Sequence, residues 1–103
     1  MKRLRILVVD DETYIRTAIE RTLESLQFIM ADIGETVAFD FEEAGSAEEA
    51  RDHIADTSPP DIMLLDLKLP GISGIELLEE IGPSLSTTLV ILITAYASLE
   101  PAV

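Results

Sequence analysis

The sequence predicts an α/β protein built on a doubly wound parallel sheet. Three observations carry that expectation. Short continuous apolar runs at Ile6–Val9 and Ile62–Leu65 read as buried strands, and the run Leu89–Ile93 as a further strand. Segments with apolar residues at three- and four-residue steps separate them, as amphipathic helices do. The alternation is β-α-β-α-β-α-β, which needs helices on both faces of a parallel sheet, and right-handed crossovers make that sheet doubly wound.

Each element has its own signature. Ile6-Leu7-Val8-Val9 is rich in β-branched residues and opens the order as a strand. Ile15, Ala18, Ile19, Thr22, Leu23 and Leu26 then recur at helical spacing and predict a helix of about four turns with that face inward. Val37, Phe39 and Phe41 alternate with Ala38, Asp40 and Glu42, the pattern of a half-exposed strand. Between them, Gln27 to Thr36 fits two readings: a prolonged first helix, or a small hairpin turning at Ile33-Gly34. Ser46 with Glu49 forms a capping box ahead of Ala47, Ala50 and Ile54, a short second helix, and Pro59-Pro60 breaks the chain after it. Ser73 with Glu76 is a second capping box, opening a helix whose expected inner face is Ile75, Leu77, Leu78 and Ile81. Gly82-Pro83 stops that helix, and Ser98 reads as the cap of a further one. No repeat, low-complexity tract or linker divides the chain, so residues 1–103 are expected to form one domain.

Composition narrows the function. Hydrophobic residues make up 48% of 103 residues, enough for a packed core. With no cysteine, a disulfide scaffold, a thiolate metal site and a cysteine nucleophile are excluded. The net charge of −13 disfavours binding to nucleic acid or an anionic membrane and favours a divalent cation or a basic partner. The basic start Met1-Lys2-Arg3-Leu4-Arg5 resembles the beginning of a signal peptide, yet the apolar run after it is too short for one. No stretch reaches the length of a membrane span, so a soluble cytoplasmic protein is expected. A nucleotide-binding P-loop is absent, since no glycine-rich stretch ends in Gly-Lys-Ser/Thr.

The chemistry is expected where ligands bind in open α/β sheets, outside the carboxyl ends of the strands. There the first strand ends in Asp10-Asp11-Glu12, the third in Asp66 and the fourth in Thr94. Clustered carboxylates repel unless a cation neutralises them. Oxygen ligands without His or Cys suit Mg²⁺ or Mn²⁺, which keep several waters and accept a phosphate oxygen as a further ligand. A carboxylate facing a phosphoryl donor in such a site can act as nucleophile. The plainer reading is that each aspartate caps the following helix, with Asp11 placed to cap the first. That reading accounts for any one of these residues singly, but not for three acids and a hydroxyl on one edge.

The chain resembles the response regulator receiver domains of two-component signalling. The resemblance is carried by Ile6-Leu7-Val8-Val9-Asp10-Asp11-Glu12, by Pro60-Asp61-Ile62-Met63-Leu64-Leu65-Asp66-Leu67-Lys68-Leu69-Pro70-Gly71-Ile72-Ser73-Gly74-Ile75-Glu76-Leu77-Leu78, and by Ile91-Leu92-Ile93-Thr94-Ala95-Tyr96-Ala97-Ser98. It implies a flavodoxin-like sheet with strand order 2-1-3-4. It further implies a phosphoacceptor switch in which Asp66 takes a phosphoryl group from a sensor histidine kinase and signals to an output domain or partner. Asp10, Asp11, Asp66 and the backbone carbonyl of Lys68 would hold Mg²⁺, or Mn²⁺ in its place. Thr94 would be the switch hydroxyl, and the Pro70–Gly74 turn would shape the loop after the phosphorylation site. The wording around Pro70 and Thr94 is most like receivers that precede transcription activators.

Two departures stand out. The Gln27–Val37 stretch is longer than the family's usual link between first helix and second strand. The family's fifth strand, with its lysine, and last helix would lie beyond Val103, leaving the fourth strand as a bare apolar edge. The chain is therefore expected to be a fragment of a longer protein or an oligomer joined through that edge, with slow phosphorylation or impaired switching for want of the lysine. A Mg²⁺-dependent phosphatase with an aspartyl nucleophile would need a second aspartate where Lys68 stands, so turnover of an external substrate is not expected. The remaining alternative is a phosphorylation-independent interaction or dimerisation module. His53, with no acidic or hydroxyl partner at motif spacing, is expected to be a surface residue. Lys2, Arg3 and Arg5 are expected to be solvated charges, Glu12 to tune the metal site or favour the helix start, and Tyr96 either to report switching or to cover apolar surface.

Overall fold

The computed structural model describes residues 2–34 and 36–93; Thr94, Tyr96 and Ser98 lie outside the described residues. The elements run β1 (Lys2–Val9), α1 (Thr13–Asp32), β2 (Val37–Ala44), α2 (Ala47–Asp56), β3 (Ile62–Asp66), α3 (Gly74–Ile81), a 3-10 turn at Gly82–Leu85, and β4 (Leu89–Ile93). Every strand pair is parallel, and the order is β2-β1-β3-β4, the doubly wound sheet the sequence predicts.

Alternation along the central strands sorts the core onto two faces. Leu7, Val9, Met63 and Leu65 point to one side, where Ala47, Ala50 and Ile54 of α2 and Leu77 and Ile81 of α3 bury them. Ile6, Val8 and Leu64 point to the other, under Ile19 and Leu23 of α1 and beside Phe39 and Phe41 of β2. Phe39 and Phe41 meet edge to face at 6.1 Å between ring centres. The second face is thinner, and α1 contributes no fully buried residue to it. Ala18, Thr22 and Leu26, expected on its inner face, are exposed, so the packed stripe is narrower than the periodicity suggests.

The structure departs from the sequence reading in four further places. First, β1 starts at Lys2 and not Ile6 because it pairs with β2 from Lys2 opposite Val37 onward. Arg3 is exposed as expected but is also paired, its Nε donating to Asp40 at 3.0 Å, and half-buried Arg5 grips Glu42 through Nε and Nη2 at 2.7 and 2.9 Å. These cross-strand ion pairs hold polar residues in a strand that hydrophobic patterning does not mark. Second, Gln27 to Asp32 prolongs α1 and forms no hairpin; the Gln27 side chain accepts from the Phe39 N–H at 2.9 Å, tying the added turn to β2. Gly34 follows at φ 92°, a left-handed conformation that favours glycine and ends the helix.

Third, only one of the two capping boxes closes. Ser73 accepts from the Glu76 N–H at 3.1 Å while the Glu76 carboxylate accepts from the Ser73 N–H at 3.1 Å. At α2, Ser46 accepts from the Glu49 N–H, but Glu49 reaches past it to the Gly45 N–H at 3.1 Å. Fourth, Ile75 is 50% exposed. Gly74, Leu77 and Ile81 set the buried stripe of α3, and at 100° per residue Ile75 lies on its flank.

Candidate functional site

The register of the sheet builds the site. Val9 of β1 lies opposite Leu65 of β3, so the residues after them, Asp10 and Asp66, emerge side by side at the carboxyl edge. Both are buried, at 6% and 8% exposure, while Asp11 is exposed at the rim. One carboxylate oxygen from each of the three lies within 4.8 Å of the others. Asp10, Asp66, Glu12, Tyr14, Ile15 and Ile93 line a cavity of about 290 Å³ there.

The two buried aspartates are held in the same way. Asp10 Oδ1 accepts from the Glu12 N–H at 2.9 Å, and Asp66 Oδ1 accepts from the Lys68 N–H at 2.9 Å. Each carboxylate thus closes a turn two residues long just beyond its strand. Burial raises the pKa of the Asp10 carboxyl. The Glu12 N–H opposes that rise, and the charges of Asp66 and Asp11 add to it. A buried acid pushed upward by two neighbouring carboxylates is a site where a cation relieves repulsion. The donor set, three carboxylates with no nitrogen or sulfur, fits a hard divalent ion such as Mg²⁺.

The expected roles sort as follows. Asp10, Asp11 and Asp66 are brought together. Lys68 is placed in the turn that holds Asp66, with its backbone N–H engaged there. Thr94 lies outside the described residues. Asp11 does not cap α1; the N-cap residue is Glu12, with no side-chain cap bond. Tyr14 lines the pocket, which sequence reasoning missed; its exposed phenol donates to the Glu12 carboxylate, which raises its pKa.

His53 is the clearest correction away from the site. Its Nε2 lies 2.6 Å from Glu42 Oε1, partly buried, and the same carboxylate holds Arg5. Arg5 also donates to Ser58 Oγ at 2.6 Å and to the Pro59 carbonyl at 3.3 Å. Arg5 is therefore the hub that fastens β1 to β2 and to the α2–β3 loop. Glu42 and His53 are eleven residues apart, so no short motif could have flagged the pair.

These observations define a receiver-type sheet with an acidic pocket at its carboxyl edge, and comparison with known proteins places it. Residues 6–103 match the response regulator receiver domain, and the chain belongs to that family. It is a signalling module of two-component systems. It is 36% identical over 103 residues to the response regulator protein PilR of Pseudomonas aeruginosa, covering 100% of this chain and 20% of that protein. It is 34% identical over 103 residues to the DNA-binding transcriptional regulator NtrC of Escherichia coli, covering 100% of this chain and 19% of that protein. The chain thus spans about a fifth of the length of these curated relatives. Among solved structures it is similar to the response regulator TrrA of Thermotoga maritima in complex with Mg²⁺-BeF. The TM-score is 0.72 at 35% identity, over 94% of this chain and 72% of that one. No helix among the described residues is long and apolar enough to cross a membrane.

Proposed function

We propose that this chain is a phosphoacceptor switch in which Asp66 takes a phosphoryl group from the phosphohistidine of a sensor kinase. The observation that carries the reading is the convergence of the Asp10, Asp11 and Asp66 carboxylates within 4.8 Å at the sheet's carboxyl edge. Mg²⁺ would be held by Asp10, Asp11, Asp66 and the Lys68 carbonyl, where it supplies neutralisation of the charge on the transferring group. Asp66 is oriented for attack because the Lys68 N–H fixes its Oδ1. The other oxygen bonds to phosphorus as the phosphorus–nitrogen bond breaks, and the electron pair returns to the donor imidazole. The Thr94 hydroxyl would then bond the phosphoryl oxygen and report its arrival to an output domain or partner. Such a switch works in the cytoplasm and turns over no external substrate. The Mg²⁺-BeF complex of TrrA supports the reading, as do the regulators among the relatives.

Intact mass after incubation with acetyl phosphate tests it, with and without Mg²⁺ and beside Asp66→Asn. One phosphoryl adduct that requires both Mg²⁺ and Asp66 is expected. No adduct on a folded chain would overturn the proposal and leave a receiver-shaped interaction module.

A further inference from the structure

We infer that Arg16 is a positioning residue for the acidic pocket, holding the peptide between Asp10 and Asp11 in the orientation a cation requires. This rests on the reading of the pocket as a Mg²⁺ site. Arg16 lies in the first turn of α1, and its side chain is only 15% exposed. Its Nη1 donates to the Asp10 carbonyl at 2.5 Å, its Nε to Glu43 Oε1 at 2.6 Å, and its Nη2 to Thr13 Oγ1 at 3.1 Å. One planar guanidinium thereby fastens β2 and the start of α1 to the loop between Asp10 and Glu12.

The Asp10 carbonyl matters because the peptide that follows it is planar, so fixing the oxygen fixes the direction in which Asp11 leaves the backbone. The rest of Asp10 is fixed as well. Its N–H donates to the Ala44 carbonyl at 3.1 Å, and its carboxylate is held by the Glu12 N–H. Without Arg16, the Asp10–Asp11 peptide loses the one side-chain bond its oxygen receives among the described residues, and Asp11, exposed at the rim, is free to turn away.

Charge and geometry make opposite predictions, which makes the inference testable. Arg16 places a positive charge beside a cation pocket, so by Coulomb's law alone its removal tightens Mg²⁺ binding. A residue that orients the ligands does the reverse, and loss of such outer contacts typically weakens metal binding about tenfold or more.

The experiment is a Mg²⁺ titration of the full chain followed by amide NMR shifts, comparing wild type with Arg16→Ala, Arg16→Lys and Arg3→Ala. The spectrum itself reports whether each variant is folded. A dissociation constant raised roughly tenfold in Arg16→Ala and less in Arg16→Lys is expected. Lysine keeps the charge but not the three-way fork. Arg3→Ala also removes a cation and an ion pair of β1, and its constant is expected to match wild type or fall below it. Folded Arg16 variants that bind Mg²⁺ as tightly as wild type overturn the inference. If Arg16→Ala loses its dispersed spectrum, Arg16→Lys decides; loss in both assigns Arg16 to folding alone and also overturns it. A wild type that shows no saturable response overturns the Mg²⁺ reading itself and the inference with it.

Discussion

Gly74 opens α3 directly behind the end of β3, and replacing it with alanine tests how tightly the site is built. A Cβ at this position would stand 2.8 Å from the Asp66 carbonyl oxygen, 3.1 Å from Leu67 Cα and 3.3 Å from Leu65 Cγ. The first distance is about half an ångström short of ordinary contact, and the first two obstacles are backbone, which no rotamer change can move. Overpacking of this kind costs about 1–3 kcal/mol. Alanine's better helix propensity offsets at most about 1 kcal/mol of it. A net loss of roughly 1–2 kcal/mol is expected, which lowers Tm by about 5–15 °C in a domain of this size. Gly82→Ala is the matched control. Its added Cβ meets nothing within 4 Å, and its φ of −48° suits any residue. It is expected to leave Tm unchanged or raise it slightly. Thermal melts by circular dichroism read both. A Gly74→Ala protein as stable as wild type would show that α3 can withdraw from β3 without cost, and the close-approach argument would fail. Because the clash is with Asp66 itself, slower adduct formation with acetyl phosphate is expected alongside the lower Tm.

Three further predictions follow from the charges and the core. Asp10→Asn is expected to raise stability at pH 7 and, on the proposed Mg²⁺ site, to lose the stabilisation expected of the bound ion in wild type, about 2.7 kcal/mol at a hundredfold excess over Kd. The folded Asp10 carboxyl has a raised pKa, so its contribution is most favourable below the ordinary value of 3.8 and is lost as pH rises through the folded value. Melts over a pH series should therefore show the variant's advantage closing toward acid, and a gap independent of pH would refute this. Glu42 has the opposite sign. Arg5 first, and His53 after it, hold its carboxyl below the ordinary 4.5, so its stabilisation is present above that value and fades as pH falls through the folded one. Arg5→Ala is expected to cost about 2 kcal/mol in denaturant unfolding and Glu42→Gln to flatten the acid limb. On α3, Leu77→Ala should cost about 2–5 kcal/mol, whereas Ile75→Ser should stay within about 0.5 kcal/mol. Equal losses would mean that Ile75 is packed after all.

Much of the fold is legible along the chain because its signals are local. The runs Ile6–Val9 and Ile62–Leu65 seek burial on both faces, and the structure makes them central strands; Leu89–Ile93 is a strand too, with Leu89, Ile91 and Leu92 exposed. The box at Ser73 involves groups three residues apart, so chain geometry settles it before any tertiary contact. The box at Ser46 half fails for an equally local reason, since the neighbouring Gly45 N–H competes for the Glu49 carboxylate.

By itself the sequence determined the alternation of strands and helices and put Asp10, Asp11 and Asp66 at strand ends. Residues that terminate apolar strands in a parallel sheet must come out on one edge. What only the tertiary structure decided depends on partners distant in sequence. Polar Lys2–Arg5 is strand because β2 lies alongside, and His53 has a partner because Glu42 faces it across the α2–β2 contact. The long α1 is chosen over a hairpin at Gln27 with the Phe39 amide as its tether, and the Asp10 loop is held by an arginine whose other hand is on Glu43. Periodicity reports which residues seek burial; it carries no record of which charged group will be waiting across the sheet, because that choice is made only when the strands come together.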